Sequence, residues 1–407
     1  MKWNNEAVLR RLATMSLLVA CAMSPALQAE AVQARDLGVP FAGTPGRYNA
    51  ITDVDGVEVG YVTLIEGEGH LDASKGIVRT GVTAILPRGK HSTTPVFAGW
   101  ETSNAAGEMT GTVWLEERGY IDGPVMITNT HSVGVVRDAV VQWLVSNQWP
   151  GDWFVPVVGE TYDGFISDIN GFHVTREHAL ASIASARPGP VAQGNVGGGT
   201  GMACFGFKGG TGTASRVVQV ESQSFVVGVL VQCNFGKRQW LRIGGAPVGE
   251  ALADKYLPGI PGQQRTADGR RPNRAETGDG SIIVVVATDA PLLPHQLKRL
   301  AKRPAAGMGR MGDAGSDGSG DIFIAFSTAN PNIESVEMKP KTVRIHPNDQ
   351  LTPIFEAAVQ ATEEAITNAM INATSITGVG GFGLVALPHD ELRAILKKYG
   401  RLQARKN

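Results

Sequence analysis

The sequence has 407 residues, of which 43% are hydrophobic and 18% are charged, so it is long enough to bury a large core. This composition excludes a disordered chain and a collagen-like chain. The formal net charge is −1, and the lysines and arginines form no stripe, which argues against nucleic acid as a partner.

Residues 1–29 have the pattern of a bacterial export signal. Three basic residues come first: Lys2, Arg10 and Arg11. The apolar run LATMSLLVACAMSPAL and several small residues follow, so we expect cleavage near Ala29 or Ala31 and a periplasmic protein. An alternative is a lipobox in LVAC, with Cys21 as the acylated residue. The run is short and contains Pro25, so no membrane span is predicted.

The first half of the remaining chain predicts strands alternating with a few helices. Strands are predicted in ITDVDGVEVGYVTLI, GVTAILPRG, GPVMITNT and WFVPVVGETYDG, and a longer one at 224–236. Helices are predicted in SVGVVRDAVVQWLVSNQ, from its apolar spacing, and at 176–186. Residues 251–280 show no hydrophobic periodicity and are rich in Pro, Gly, Gln and Arg, which is typical of an exposed or processed loop.

The second half repeats the alternation. We predict strands at 281–288, in GDIFIAFSTAN and at 336–345, and helices at 294–303 and 390–399. A long helix is predicted to start with Thr352 as its N-cap and Pro353 at its first helical position. Several of the strands are apolar on both faces. This pattern predicts a layered α/β protein with helices outside stacked sheets.

A glycine-rich block, GNVGGGTGMACFGFKGGTGTASR, invites a nucleotide-binding interpretation. It lacks the lysine and hydroxyl spacing of a phosphate-binding loop, so we expect close backbone packing instead. Its Lys208 and Arg216 could bind an anion, but surface positions are expected for both. Cys204 and Cys233 could form a disulfide in an exported protein or remain buried thiols. The histidines and cysteines show no ligand spacing, so no metal site is predicted.

The junction Asp279-Gly280-Ser281 has two interpretations. Locally, Asp-Gly favours an ordinary turn before a strand. Alternatively, cleavage of the Gly280–Ser281 bond would free Ser281 as a new N-terminus, whose α-amine could act as the base for its own hydroxyl. The preceding glycine would leave the carbonyl open to attack.

Five separated stretches decide between these interpretations: TGDGSIIVVVATDAP, GNVGGGTGM with GGTGTASR, VGETYDG, VQCNFG and GSGDIF. Together they resemble the self-processing serine aminopeptidases that include L-aminopeptidase/D-esterase and the β-peptidyl aminopeptidases. The resemblance extends from Asn49 to about residue 387. It implies a four-layer αββα sandwich like that of N-terminal nucleophile hydrolases, with different connectivity.

The resemblance also implies a role for particular residues. Ser281 matches the nucleophile, and Gly280–Ser281 matches the bond that is cut to give a large chain (30–280) and a small chain (281–407). Asn234 matches the amide that stabilises the oxyanion. The remaining matches are Ser319 and Asp321, which support the nucleophile, Glu160, which receives the substrate's ammonium, and Tyr162 beside it.

The resemblance implies no metal and no cofactor. It further implies a short peptide, amide or ester with a free N-terminus as substrate, and often a tetramer of processed pairs. The family usually has glutamate where this chain has Asp321, so the reach of the carboxylate is shorter by one methylene. Two alternatives are an acyltransferase related to ornithine acetyltransferase, which uses threonine at the cleavage site, and a non-catalytic periplasmic binding protein on the same scaffold.

Overall fold

The computed structural model describes residues 31–68, 76–260, 280–331, 333 and 339–404. The predicted export signal, Cys21 and most of the predicted processing loop lie outside these residues. Fourteen strands are described: β1 (Glu58–Glu66), β2 (Val78–Leu86), β3 (Val96–Ala105), β4 (Tyr120–Ile121), β5 (Val125–Asn129), β6 (Val157–Thr161), β7 (Ala203–Cys204), β8 (Phe207–Lys208), β9 (Gly210–Val220), β10 (Gln223–Asn234), β11 (Ser281–Thr288), β12 (Gly320–Ser327), β13 (Ile376–Thr377) and β14 (Gly383–Leu384).

Eight α-helices are described in the same residues. They are α1 (Thr112–Arg118), α2 (Val133–Ser146), α3 (Arg176–Ala184), α4 (Val248–Ala251), α5 (Pro294–Ala301), α6 (Arg303–Arg310), α7 (Thr352–Ile371) and α8 (His389–Lys398). None of the helices in this part of the chain is long and apolar enough to span a membrane.

Two sheets make the two central layers. The first has the order β1-β2-β5-β6, and its β5 and β6 are parallel. The second has the order β4-β3-β12-β11-β10-β9, and its two middle strands, β11 and β12, are parallel. The other pairs within both sheets are antiparallel.

Strand β11 shows why several strands are apolar on both faces. Ile283 and Val285 belong to the core between the two sheets. Ile282 and Val284 belong to the core between the six-stranded sheet and its helices, which include α5 and α7. Successive side chains of a strand point to opposite faces, and here both faces are covered.

The four-stranded sheet has helices on its other face. Val136 and Val140 of α2 and Ile183 of α3 share a core with Val82 of β2 and Val158 of β6. The order of layers is therefore helix, sheet, sheet, helix. The predicted αββα sandwich is confirmed.

Several local predictions are wrong. Residues 339–345 form no strand, and Val343 and Ile345 are 36% and 52% exposed, because this segment contains Pro340, is followed by Pro347 and adds to neither sheet. The N-cap of α7 is Leu351, and Thr352 is its first helical residue.

The glycine-rich block also differs from expectation, because its two cations are buried. Lys208 is fully buried and donates to backbone carbonyls at 2.7 and 3.0 Å. Arg216 forms a buried ion pair with Glu364 of α7, at 2.7 Å. Neither cation is available to an external anion. Cys204 and Cys233, left open by the sequence, form a disulfide with Cα atoms 5.6 Å apart.

Candidate active site

Ser281 begins a central strand of the six-stranded sheet. It lies opposite Asn234, the last residue of β10, and opposite Gly320, the first residue of β12. Antiparallel β10 ends where parallel β11 and β12 begin, so all three residues meet at one edge of the sheet. Ser281 is 4% exposed. Strand β11 thus places the Ser281 side chain at a buried edge of the sheet, beside the end of β10 and the start of β12.

The carbonyl group of Gly280 has two hydrogen-bond donors. The backbone N–H of Gly320 donates to its oxygen at 3.0 Å, and the hydroxyl of Ser281 donates to the same oxygen at 2.6 Å. Donors on a carbonyl oxygen withdraw electron density from its carbon and stabilise negative charge on that oxygen. The Gly280–Ser281 peptide bond is therefore polarised, with a hydroxyl next to it.

The side chain of Asn234 is held in one orientation. Its Oδ1 accepts the backbone N–H of Ala203 at 2.8 Å, and its Nδ2 donates to the carbonyl of Tyr162 at 3.0 Å. An amide nitrogen has two N–H donors, so the second N–H of Nδ2 can donate to another acceptor. Asn234 and Ser281 line the same cavity. This geometry fits a donor for an oxyanion formed at Ser281.

Ser319 and Asp321 form a pair beside strand β11, which begins at Ser281. The Ser319 hydroxyl donates to Oδ1 of Asp321 at 2.6 Å, and both residues are almost fully buried. Burial raises the pKa of Asp321 to about 6. Asn104 of β3 donates to the carbonyls of Ser316 and Asp317 and so fixes the loop before this pair. Among the described residues, the Ser281 hydroxyl bonds to Gly280 rather than to Ser319.

Glu160 is buried, although its polar sequence context, taken without the other motifs, favours a solvated loop. It lies on β6, is 3% exposed and accepts the backbone N–H of Glu108 at 3.0 Å. The hydroxyl of Thr130 donates to its other oxygen. Burial raises the pKa of Glu160, and the two hydrogen bonds oppose that rise. Within the described ranges no lysine or arginine pairs with Glu160, and a buried carboxylate without such a partner is costly, so the site favours a cationic ligand.

One cavity of about 250 Å³ brings most of the predicted site residues together. Five predicted residues line it: Glu160, Tyr162, Asn234, Gly280 and Ser281. Ser319 and Asp321 do not line it, but their neighbour Gly318 does. A carboxylate, a serine hydroxyl and an amide donor thus converge on one small space.

Six further residues line the cavity and were not predicted from the sequence: Ala106, Gly107, Glu108, Thr130, Phe165 and Gly318. Thr130 could have been found from the sequence, because it is the last residue of the predicted strand GPVMITNT, and polar residues at strand ends often meet at one edge of a sheet. Ala106 to Glu108 follow β3, which the sequence analysis did not predict at all. Across the described ranges, no cluster of three or more His, Cys, Asp or Glu residues could hold a metal ion.

Comparison with known proteins agrees with this geometry. The model of peptidase family S58 matches residues 49–382. The chain is 70% identical to a β-peptidyl aminopeptidase, BapA, of Sphingosinicella microcystinivorans over 96% of this chain and 98% of that protein. It is 42% identical to a BapA of Sphingosinicella xenopeptidilytica, over 90% and 91% of the two chains.

Solved structures give the same result. The L-aminopeptidase D-Ala-esterase/amidase of Ochrobactrum anthropi, described as a variant of the Ntn hydrolase fold, matches with a TM-score of 0.82 and 48% identity, over 91% of this chain and 99% of that one. A β-aminopeptidase of a Burkholderia species matches with a TM-score of 0.80 and 43% identity, over the same shares. With the cavity around Ser281, these matches show that the chain belongs to peptidase family S58 and is a serine-type aminopeptidase.

Proposed function

We propose that the protein is made as a precursor that cuts its own Gly280–Ser281 bond and then uses Ser281 as an N-terminal nucleophile. The observation that carries this proposal is the position of the Gly280 carbonyl. It is next to the Ser281 hydroxyl, its oxygen accepts the Gly320 N–H, and it lines the cavity that contains Glu160.

In the self-cleavage step, Oγ of Ser281 attacks the carbonyl carbon of Gly280, and the Gly320 N–H stabilises the oxygen. The bond between that carbon and the nitrogen of Ser281 breaks as the nitrogen takes the hydroxyl proton. Water then hydrolyses the resulting ester and leaves a carboxylate on Gly280. Ser281 is left with a free α-amine beside its hydroxyl.

The aminopeptidase reaction uses the same serine with an external substrate. Glu160 binds the substrate's free ammonium, which selects N-termini. The α-amine of Ser281 takes the hydroxyl proton as Oγ attacks the substrate carbonyl, and Nδ2 of Asn234 donates to the oxyanion. Ser319 and Asp321 support the proton transfer. The α-amine returns the proton to the leaving amine, and water resolves the acyl-enzyme.

The sheet order supports the retention of both chains after cleavage. The small chain supplies β11 and β12, which lie between β10 and β3 of the large chain. Separating the chains would break two strand pairings and open two cores. Cut chains should therefore stay together as one folded unit.

The proposed substrates are short peptides, amides and esters with a free N-terminus. Because close relatives are named β-peptidyl aminopeptidases, we propose that N-terminal β-amino acids are accepted, as well as small L-amino acids. Kinetics on β-alanyl and L-alanyl anilides would measure the preference. A periplasmic location, after removal of residues 1–29, and a tetramer of processed pairs complete the proposal. N-terminal sequencing of the periplasmic fraction and the mass of the native enzyme test these two points.

Intact mass and a denaturing gel test the self-cleavage. The wild type should give one chain ending at Gly280 and one starting at Ser281. Ser281→Ala should remain uncut and inactive, whereas the exposed control Ser222→Ala should be cut like the wild type. An active wild type that remains a single chain would refute self-processing.

A further inference from the structure

Both oxygens of Glu160 have a hydrogen-bond donor, and the two donors come from different loops. The backbone N–H of Glu108, after β3, donates to Oε1 at 3.0 Å. The hydroxyl of Thr130, the first residue after β5, donates to Oε2. Because β5 and β6 are parallel, with Thr128 opposite Glu160, the residue that follows β5 emerges beside the carboxylate. The carboxylate is therefore fixed from two sides.

The direction of the Thr130 hydrogen bond has a chemical consequence. An ionised carboxylate only accepts hydrogen bonds, so the Thr130 hydroxyl donates its single proton to the hydrogen bond with Glu160. The lone pairs of Oγ1 remain available, and Thr130 lines the same cavity as Ser281. An ammonium group has three N–H donors and no acceptor. Glu160 and Thr130 together thus present a negative charge and a neutral acceptor to such a group.

We propose that Thr130 belongs to the ammonium-binding site: its hydroxyl positions Glu160, keeps it ionised and accepts one N–H of the substrate's amino group. The proposal rests on the proposed function, in which Glu160 receives the ammonium. It adds a second residue to that site and gives Thr130 a role that packing alone would not require.

The charge balance around Glu160 makes this hydroxyl important. Burial raises the pKa of Glu160, and the nearby carboxylate of Glu108 raises it further. Thr130, the Glu108 N–H and the imidazole of His131 act in the opposite direction. At the end of β6 lies Asp163, a fully buried carboxyl whose own pKa is raised to about 7, mainly by burial. Loss of the Thr130 hydroxyl would therefore raise the pKa of Glu160.

Thr130→Val tests the proposal, because valine keeps the shape and removes the hydroxyl. A hydrogen bond to a charged group predicts a rise in KM of about 10- to 100-fold for an aminoacyl anilide, with a smaller change in kcat. The acid limb of kcat/KM should move to higher pH, since a carboxylate with a raised pKa ionises later. Thr130→Ser should restore both properties. Thr44→Val, at an exposed threonine outside the cavity, is the matched control.

The outcomes separate this proposal from the proposed function. A wild type that hydrolyses an N-acetylated substrate as fast as the free amine would refute the ammonium site itself. If the wild type prefers the free amine to the N-acetylated substrate, but Thr130→Val has the wild-type KM and the wild-type acid limb, only the role of Thr130 is overturned. An equal rise in KM and an equal shift of the acid limb in Thr130→Ser and Thr130→Val would assign the effect to packing, and this result would also overturn the role of Thr130. If valine prevents folding, Thr130→Ala compared with Thr130→Ser gives the same readouts.

Discussion

Gly280→Ala should block self-cleavage even though it leaves the nucleophile intact. A Cβ on Gly280 would lie 1.8 Å from the carbonyl oxygen of Asn234 and 2.9 Å from its carbonyl carbon. These are backbone atoms of the neighbouring strand β10, so they cannot rotate away. Relieving the first contact requires the two backbones to separate by at least ~1 Å, since Cβ atoms are essentially never found within 3.0 Å of another heavy atom.

That separation would disrupt the reaction geometry. The Gly280 oxygen lies 3.0 Å from the nitrogen of Gly320 on the next strand, and a displacement of this size breaks a hydrogen bond of that length. A misplacement of about 1 Å typically costs about 100-fold in rate. We therefore expect processing of Gly280→Ala to be slowed about 100-fold or more.

The assay is a time course of precursor and products by denaturing gel and intact mass. Gly134→Ala is the matched control, because a Cβ at Gly134 in α2 would meet no atom within 4 Å. Thermal unfolding should show that the uncut Gly280→Ala precursor is folded. A folded Gly280→Ala precursor that processes at the wild-type rate would refute the idea that close backbone packing holds the carbonyl for attack.

Three other substitutions test separate parts of the site and the fold. Asn234→Ala should lower kcat by about 100- to 1,000-fold with little change in KM, as expected for the loss of an oxyanion donor, and steady-state kinetics will show this. Asp321 must be ionised to accept a proton, so activity should fall as the pH drops through about 6. Asp321→Asn should be slow and should lose that inflection in its pH–rate profile. Glu364→Gln should destabilise the protein by about 3–5 kcal/mol in denaturant unfolding, because it leaves the buried guanidinium of Arg216 without its counter-ion.

Each of these predictions has an outcome that contradicts it. A higher KM with unchanged kcat in Asn234→Ala would assign that residue to substrate binding. An inflection near pH 6 that persists in Asp321→Asn would belong to another group. Wild-type stability in Glu364→Gln would mean that the ion pair contributes nothing beyond packing.

Much of the architecture follows from local patterns. The strand at 281–288 was predicted with its observed bounds because an apolar, β-branched run begins abruptly after Asp-Gly. The helical spacing in 133–146 likewise predicted α2. Strand β3 was missed because its second half carries polar residues, which interrupt the apolar pattern just before the cavity-lining loop that begins at Ala106. The strand predicted at 336–345 failed in its described part because β-branched residues form a strand only when a sheet edge accepts them.

The sequence by itself determined the family of this protein, through a serine after glycine at the start of a buried strand and the five motifs that match one family. Only the tertiary structure decided where the site groups lie and which contacts they make. Lys208 and Arg216 are buried, Glu160 is enclosed, and Thr130 donates to it because two parallel strands end together. The glycine before Ser281 is required because the backbone of Asn234 passes directly against it. These contacts join residues far apart in the chain, and no local pattern records such pairings.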